Sequence, residues 1–246
     1  MNLIIDAGNT QIKWAIYSDR QQIYRSSVPD WRGFNIESLI PQYKNIGSVI
    51  ISSVRKIPQK TFFALNKNFP EIIELDYRLK LPVSIKYKTP ETLGKDRIAA
   101  AVGGVNLFPG SPVLVIDLGT AITLDLINEK AEFIGGNISP GMNLRFKALK
   151  HFTDDLPLVT ASLHPSLIGQ TTIEAIQAGV QLGITYELDA YINTLINKYN
   201  GLRVILTGGD ASVFVKNLKN TIFVVPDLVL DGLNIILEFQ KAEFVD

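Results

Sequence analysis

Two short segments carry the residue types that phosphate chemistry needs. Asp6-Ala7-Gly8-Asn9-Thr10 and Asp117-Leu118-Gly119-Thr120 each end an apolar run with one carboxylate, a glycine and a hydroxyl. Without a Cβ, the glycine lets backbone N–H groups approach an anion, while the carboxylate can hold a cation. That combination suits a nucleotide phosphate and its metal. One Asp-x-Gly turn is an ordinary hairpin feature. Two copies with matching flanks weaken that plain explanation.

Further candidates lie between and after these turns. Gly94-Lys95-Asp96-Arg97 leads into a small-residue helix, so Asp96 and Arg97 fall near its N-terminus. There Asp96 either pairs with Arg97 or caps the helix, or acts as a carboxylate base beside a cationic clamp. Gly169-Gln170-Thr171-Thr172 precedes a long helix; one hydroxyl serves as N-cap and the other is free to meet a ligand. Thr207-Gly208-Gly209-Asp210 joins a strand to a helix and would let a flat base lie on bare backbone. Asp125 is a further candidate carboxylate on the second hairpin, for which a plain role as a solvated or lobe-interface residue weighs at least as much. Phosphoryl transfer to an alcohol needs positioned phosphates, a metal, a cation and a proton acceptor. Asp6, Lys13, Arg97 and Asp96 can supply these.

The elements that must hold these residues follow from periodicity. Leu3-Ile4-Ile5 is a buried-type strand, and Ile12, Trp14 and Ile16 alternate as a second one. Residues 113–117 and 121–127 repeat this hairpin, with Asp6 over Asp117 and Gly8 over Gly119. Around the first hairpin, strands are expected at 21–27, 48–53 and 71–75, and helices at 31–43 and 59–69. Residues 78–93 read as a linker. Around the second, a strand at 132–134 leads into Gly135-Gly136-Asn137-Ile138-Ser139-Pro140-Gly141, expected as a cleft-lining loop. Helices are expected at 143–150, 173–196, 211–218 and 228–239, and strands at 202–206 and 222–225. Residues 152–166 read as an ordered loop. This is a mixed α/β layer pattern in two similar halves.

Composition narrows the function. Lys plus Arg and Asp plus Glu each number 24 in 246 residues, giving zero formal net charge and no basic run of the kind nucleic-acid binders show. No cysteine is present, which excludes disulfides, thiolate catalysis and thiolate zinc sites. The two histidines, His151 and His164, lie far from the glycine motifs, which argues against a histidine metal cluster or triad. No stretch is apolar and long enough to span a bilayer and no leader is evident, so a soluble cytoplasmic protein is expected. Neither GxxxxGK[ST] nor GxGxxG with its acidic partner occurs.

Two Asp-x-Gly hairpins and a late strand-TGGD-helix resemble the superfamily of acetate and sugar kinases, heat-shock chaperone ATPases and actin. Within it, DAGNTQIK at 6–13, LGKDR at 93–97, DLGTAITLD at 117–125, GGNISPG at 135–141, GQTTIEAIQAG at 169–179 and TGGD at 207–210 resemble, in order, the motif series of type III pantothenate kinases. The resemblance implies an α/β fold of two duplicated actin-like (ribonuclease H-like) lobes, residues 1–110 and 111–246, each a mixed β-sheet flanked by helices. It implies ATP-dependent phosphorylation of pantothenate, the first step of coenzyme A synthesis. The enzyme would be a homodimer needing Mg²⁺ and a monovalent cation, K⁺ or NH₄⁺, with its active site between lobes and near the dimer interface. By the same resemblance, Asp6, Ala7, Gly8, Asn9, Thr10, Gln11, Ile12 and Lys13 bind ATP, with Asp6 nearest Mg²⁺, and Thr120 is a further ATP contact. Asp96 would be the general base. Tyr87, Gly94, Lys95, Asp96, Arg97 and Thr172 would bind pantothenate, Thr172 at the dimer interface, and Asp117 would hold the monovalent cation. Lys95 fills the free position of the GxDR motif, and Lys86 and Lys88 make the segment more basic than the motif requires. Other readings are a different small-molecule kinase, a non-catalytic regulator of transcription, or an ATPase module that moves a protein partner. The GxDR segment, the intact aspartates and the lack of an added subdomain argue against each in turn.

Overall fold

The computed structural model describes residues 1–39, 41–43 and 45–243. Its strands are β1 (Asn2–Ala7), β2 (Ile12–Ser18), β3 (Gln21–Val28), β4 (Ser48–Ser53), β5 (Glu71–Glu74), β6 (Ser84–Ile85), β7 (Val113–Leu118), β8 (Ala121–Ile127), β9 (Glu132–Pro140), β10 (Arg203–Thr207) and β11 (Phe223–Val224). The helices are α1 (Gln59–Asn68), α2 (Lys95–Leu107), α3 (Met142–His151), α4 (Thr172–Lys198), α5 (Ala211–Phe214) and α6 (Leu228–Glu243). Two compact units result: residues 1–110, 130–135 and 227–246 form the first, and 111–129 with 136–226 the second.

The first unit is built on a five-stranded sheet ordered β3-β2-β1-β4-β5. β1 runs antiparallel to β2 and parallel to β4, and β4 runs parallel to β5. Leu3, Ile4 and Ile5 are wholly buried, as the unbroken apolar run requires of a central strand. One face packs an aromatic cluster in which the Phe34 ring meets Trp14 and Trp31 edge-on at 5.1 and 5.7 Å. The other sheet is six-stranded, in the order β6-β9-β8-β7-β10-β11, and its last five strands repeat the same plan, with β7 antiparallel to β8 and parallel to β10. The fold is therefore α/β, two mixed sheets of one topology flanked by helices. The lobe limits expected at 110 and 111 and the compact units are not the same division, because α6 and residues 130–135 count with the first unit.

α6 is fixed there by glycine and by polar ties. A Cβ on Gly232 would collide with the Ala99 carbonyl oxygen of α2, and one on Gly103 would come within 2.8 Å of the Leu228 carbonyl oxygen. The two helices thus cross with backbone almost touching. Tyr17 Oη donates to Asp231 Oδ1 at 2.6 Å, and Asn2 Nδ2 donates to Asn234 Oδ1 at 2.8 Å. Burial, then the bond to Asp231, pushes the Tyr17 hydroxyl far above its usual range, so it remains the donor.

Three expectations change. Residues 31–43 hold turns and a single 3₁₀ turn, Ile36–Ser38, in place of a helix; Ile40 lies outside the described residues. The Asp30 side chain accepts from the Arg32 N–H and the Asn35 side chain from that of Glu37, so local side chains take the donors a helix would use. The segment 135–141 is the end of β9, running as strand to Pro140, where a loop was expected. Residues 78–93 are not a bare linker: Ser84 and Ile85 form β6 and pair in parallel with Glu132 and Phe133.

Candidate active site

In the first unit the β1–β2 hairpin delivers the leading motif. Asp6 and Lys13 face each other across the ladder, and the pair Ala7–Ile12 closes residues 8–11 into the connecting loop. Asp6 and Lys13 are half-buried, while Asn9, Thr10 and Gln11 are exposed. The loop is held from outside by Arg55, which sequence reasoning missed: its guanidinium donates to the carbonyl oxygens of Asn9 and of Pro29, the latter at 2.9 Å. Arg55 follows β4 by two residues, and the parallel pairing of β4 with β1 is what brings it to the loop.

Gly94 precedes α2 as its cap residue, and Asp96 stands in the helix's first turn. Asp96 Oδ1 accepts the N–H of Arg97 at 2.9 Å and turns back so far that a Cβ on Gly94 would lie 2.5 Å from it. The carboxylate is half-buried, oriented by backbone and set in the first turn at a helix N-terminus. Arg97 is 6% exposed. Its guanidinium lies 5.7 Å from the ring centres of both Tyr87 and Phe133, which themselves meet edge-on at 6.0 Å. Such a cage holds a cation in place by its ring faces. Tyr87 reaches it because Lys86 N donates to the Phe133 carbonyl at 3.0 Å, extending the β6–β9 pairing. Lys95 forms an ion pair with Glu74 of β5 at 2.7 Å.

The second unit holds the other turn. Asp117 is the penultimate residue of β7, flanked by Thr123 of β8 and Thr207 of β10. The Gly119 N–H donates to the Ala121 carbonyl at 3.1 Å, a tight two-residue link that leaves Thr120 exposed. Gly208, at φ +92°, lies against this turn: a Cβ there would strike Asp117 Oδ1 and reach 2.6 Å from the Leu118 backbone. Asp210, whose N–H donates to the Leu118 carbonyl at 3.0 Å, has its carboxyl pushed up by burial. Asp125 is buried, 1% exposed, and accepts from Thr123 Oγ1 at 3.3 Å, so it is not a solvated residue.

Thr172 begins α4. Thr171 is its N-cap, accepting the Glu174 N–H at 3.2 Å while Glu174 accepts the Gln170 N–H at 2.8 Å. With Thr171 used as the cap, Thr172 is left exposed on an apolar groove of about 830 Å³, which Leu149, Phe152, Leu156 and Ile176 also line. Phe152 in this lining is strongly exposed, as are Leu163, Leu167 and Ile168 in the segment that precedes α4.

Among the described residues no group of three or more histidine, aspartate or glutamate side chains is placed to hold a metal. A lone carboxylate beside a loop of backbone amides still fits Mg²⁺, which is commonly held by one or two carboxylates together with phosphate oxygens and water. No helix is long and apolar enough to cross a membrane among the described residues.

Comparison with known proteins identifies the family. A family model described as type III pantothenate kinase matches residues 2–194. The curated type III pantothenate kinase of Cytophaga hutchinsonii is 44% identical, covering 98% of this chain and 100% of its own. That of Christiangramia forsetii is 42% identical, covering 99% and 100%. Among solved structures, a Campylobacter jejuni protein described provisionally as a conserved Baf family transcriptional activator superposes with TM-score 0.63 at 24% identity over 98% of this chain and 99% of its own. The activator of the 2-hydroxyisocaproyl-CoA dehydratase from Clostridium difficile, with bound ADPNP, gives 0.53 at 12% over 100% and 97%. These two share the fold. With nearly full-length identity above 40% to the curated relatives, this chain belongs to the type III pantothenate kinase family.

Proposed function

We propose that the chain transfers the γ-phosphoryl group of ATP to the terminal hydroxyl of pantothenate, giving 4′-phosphopantothenate and ADP at the entry to coenzyme A synthesis, in the cytoplasm. The observation that carries the acceptor side is Asp96 at the start of α2, held by the Arg97 N–H, with Arg97 caged by Tyr87 and Phe133. Asp96 takes the hydroxyl proton as the new O–P bond forms and the bond from the γ-phosphorus to the β,γ-bridging oxygen breaks. Arg97, Tyr87 and the backbone of Gly94 and Lys95 hold the acceptor, the cation answering pantothenate's carboxylate. Residues 6–13 hold the phosphates through the loop amides and Lys13, and Thr120 adds a hydroxyl. When bound, Mg²⁺ neutralises phosphate charge, with Asp6 as its protein carboxylate. Asp117, beside the Cβ-free backbone at Gly208, is suited to a monovalent cation, K⁺ or NH₄⁺.

A homodimer completes this reading. The apolar groove beside Thr172 and the exposed Leu167 and Ile168 favour a second copy of the chain as occupant, since large exposed apolar patches mark interfaces. Sedimentation of the full chain should give a two-chain species. Ile168→Glu should give a monomer with a raised KM for pantothenate, and a wild-type monomer would remove Thr172 from its role.

The reaction is tested by ADP release with ATP, Mg²⁺ and K⁺, with and without pantothenate, and mass spectrometry of the product. ADP that does not depend on pantothenate would overturn the assignment. Phe133→Leu, which opens the cage but keeps the bulk, should raise KM for pantothenate about fivefold to thirtyfold, the effect of about 1–2 kcal/mol of cation–π and orientation energy. KM for ATP should be unchanged.

A further inference from the structure

Arg145, on α3, links three elements of the second unit. Its Nε donates to the Pro140 carbonyl at 2.8 Å, and its Nη2 donates to Glu187 Oε2 of α4 at 2.6 Å and to Ser139 Oγ at 3.3 Å. Ser139 Oγ also donates to Glu187 Oε1 at 2.8 Å, so the two side chains and the end of β9 form a closed ring of hydrogen bonds. Both charged side chains are about three-quarters buried, at 22% and 26% exposure, where a charge-assisted hydrogen bond is worth more than at the surface.

The next residue is Gly141, whose N–H donates to the Thr120 carbonyl at 3.0 Å. A Cβ there would collide with the Gly119 carbonyl oxygen and come within 2.6 Å of that of Thr120. The end of β9 is therefore pressed directly onto the tip of the β7–β8 turn. A two-residue turn has few contacts of its own to fix it; here its outer support is a segment that Arg145 and Glu187 fasten in turn.

We infer that Arg145 and Glu187 are positioning residues for the nucleotide: through Ser139, Pro140 and Gly141 they hold the Gly119-Thr120 turn in its phosphate-facing conformation. The inference rests on the assignment of Thr120 to ATP. Neither residue touches the reacting atoms. Their effect is to keep the turn from moving when phosphate charge is applied to it, and small misplacements in such a site are costly, an ångström being worth about 100-fold.

The test compares wild type with Arg145→Lys, Glu187→Gln and the double variant. Arg145→Lys keeps the charge and loses the fork; Glu187→Gln keeps the shape and loses the charge. Each single variant should raise KM for ATP about tenfold, leave KM for pantothenate unchanged, and melt within a few degrees of wild type. The double variant should be no worse than the poorer single one, because both break one ring. A loss of thermal stability with KM for ATP unchanged would reduce the ring to a structural brace and overturn the proposal. A rise confined to KM for pantothenate would overturn it too, assigning the ring to the groove beside Thr172. Affinity for an ATP analogue, measured by calorimetry on the same proteins, gives the same comparison without turnover. If wild type fails to phosphorylate pantothenate yet loses analogue affinity on Glu187→Gln, the acceptor assignment falls while the positioning role stands.

Discussion

Asp96→Asn should lower kcat by about 10²- to 10⁴-fold, the range for removing a general base, and leave both Michaelis constants near their wild-type values. The expectation follows from where the group sits. Asparagine has the shape of aspartate, and its carbonyl oxygen can still accept the Arg97 N–H at the 2.9 Å now observed, so α2 keeps its first turn. What is lost is the basic oxygen that receives the hydroxyl proton. Because phosphoryl transfer passes through a loose transition state, that proton moves late, and the loss should lie in turnover rather than in binding. Steady-state rates with each substrate varied decide the matter. Near-normal turnover with unchanged Michaelis constants would leave Asp96 as a helix-capping residue and move the search for a base elsewhere.

A companion change separates base from clamp. Arg97→Lys keeps the positive charge but gives up the planar group that meets two neighbouring rings, each 5.7 Å away. Its cost should fall on KM for pantothenate, whereas that of Asp96→Asn falls on kcat. Equal effects on both parameters in both variants would mean that the pair acts only by holding α2.

How much of this was legible depends on the range of the interactions. Both hairpins could be read because their signals are local: an apolar run, an Asp-x-Gly break and an alternating run fix strand, turn and strand within seventeen residues, 1–17 for the first. The long helix α4 was legible for the same reason, since Ile176, Val180, Ile184, Leu188 and Ile192 recur every fourth residue and are all buried. Residues 31–43 misled because their apolar spacing resembles a helix while Asp30 and Asn35 divert the backbone donors locally. β6 is two residues long and exists through its pairing with β9, so no local pattern announces it. Arg55 and Phe133 are companions of the site from distant parts of the sequence. Only the register of β4 on β1, and of β6 on β9, brings them to the motifs they serve.

Gly232→Ala should be the most damaging single-methyl change in the first unit, at about 3 kcal/mol or more, the upper end of overpacking costs. That corresponds to a fall in Tm of roughly 6–12 °C for a chain of this size. Alanine is the better helix former, so propensity alone would predict a gain of about 1 kcal/mol. Packing reverses the sign: the added Cβ meets the Ala99 carbonyl oxygen, a backbone atom that cannot turn aside. Gly103→Ala should cost less, because part of what it meets is the Leu228 side chain, which can shift, although the Leu228 carbonyl is only 2.8 Å away. Gly183→Ala on α4, with nothing within 4 Å, should be neutral or slightly stabilising in an isolated chain. A loss of stability there would instead report a second copy packed against α4. Denaturation of the three variants, read beside activity, ties the fold to the site. α2 carries Asp96 and Arg97 on its first turn, so displacing it by a methyl group at its crossing with α6 should depress turnover even at temperatures where the chain remains folded. Unchanged melting for Gly232→Ala would show that the two helices stand further apart and that α6 does not fix α2.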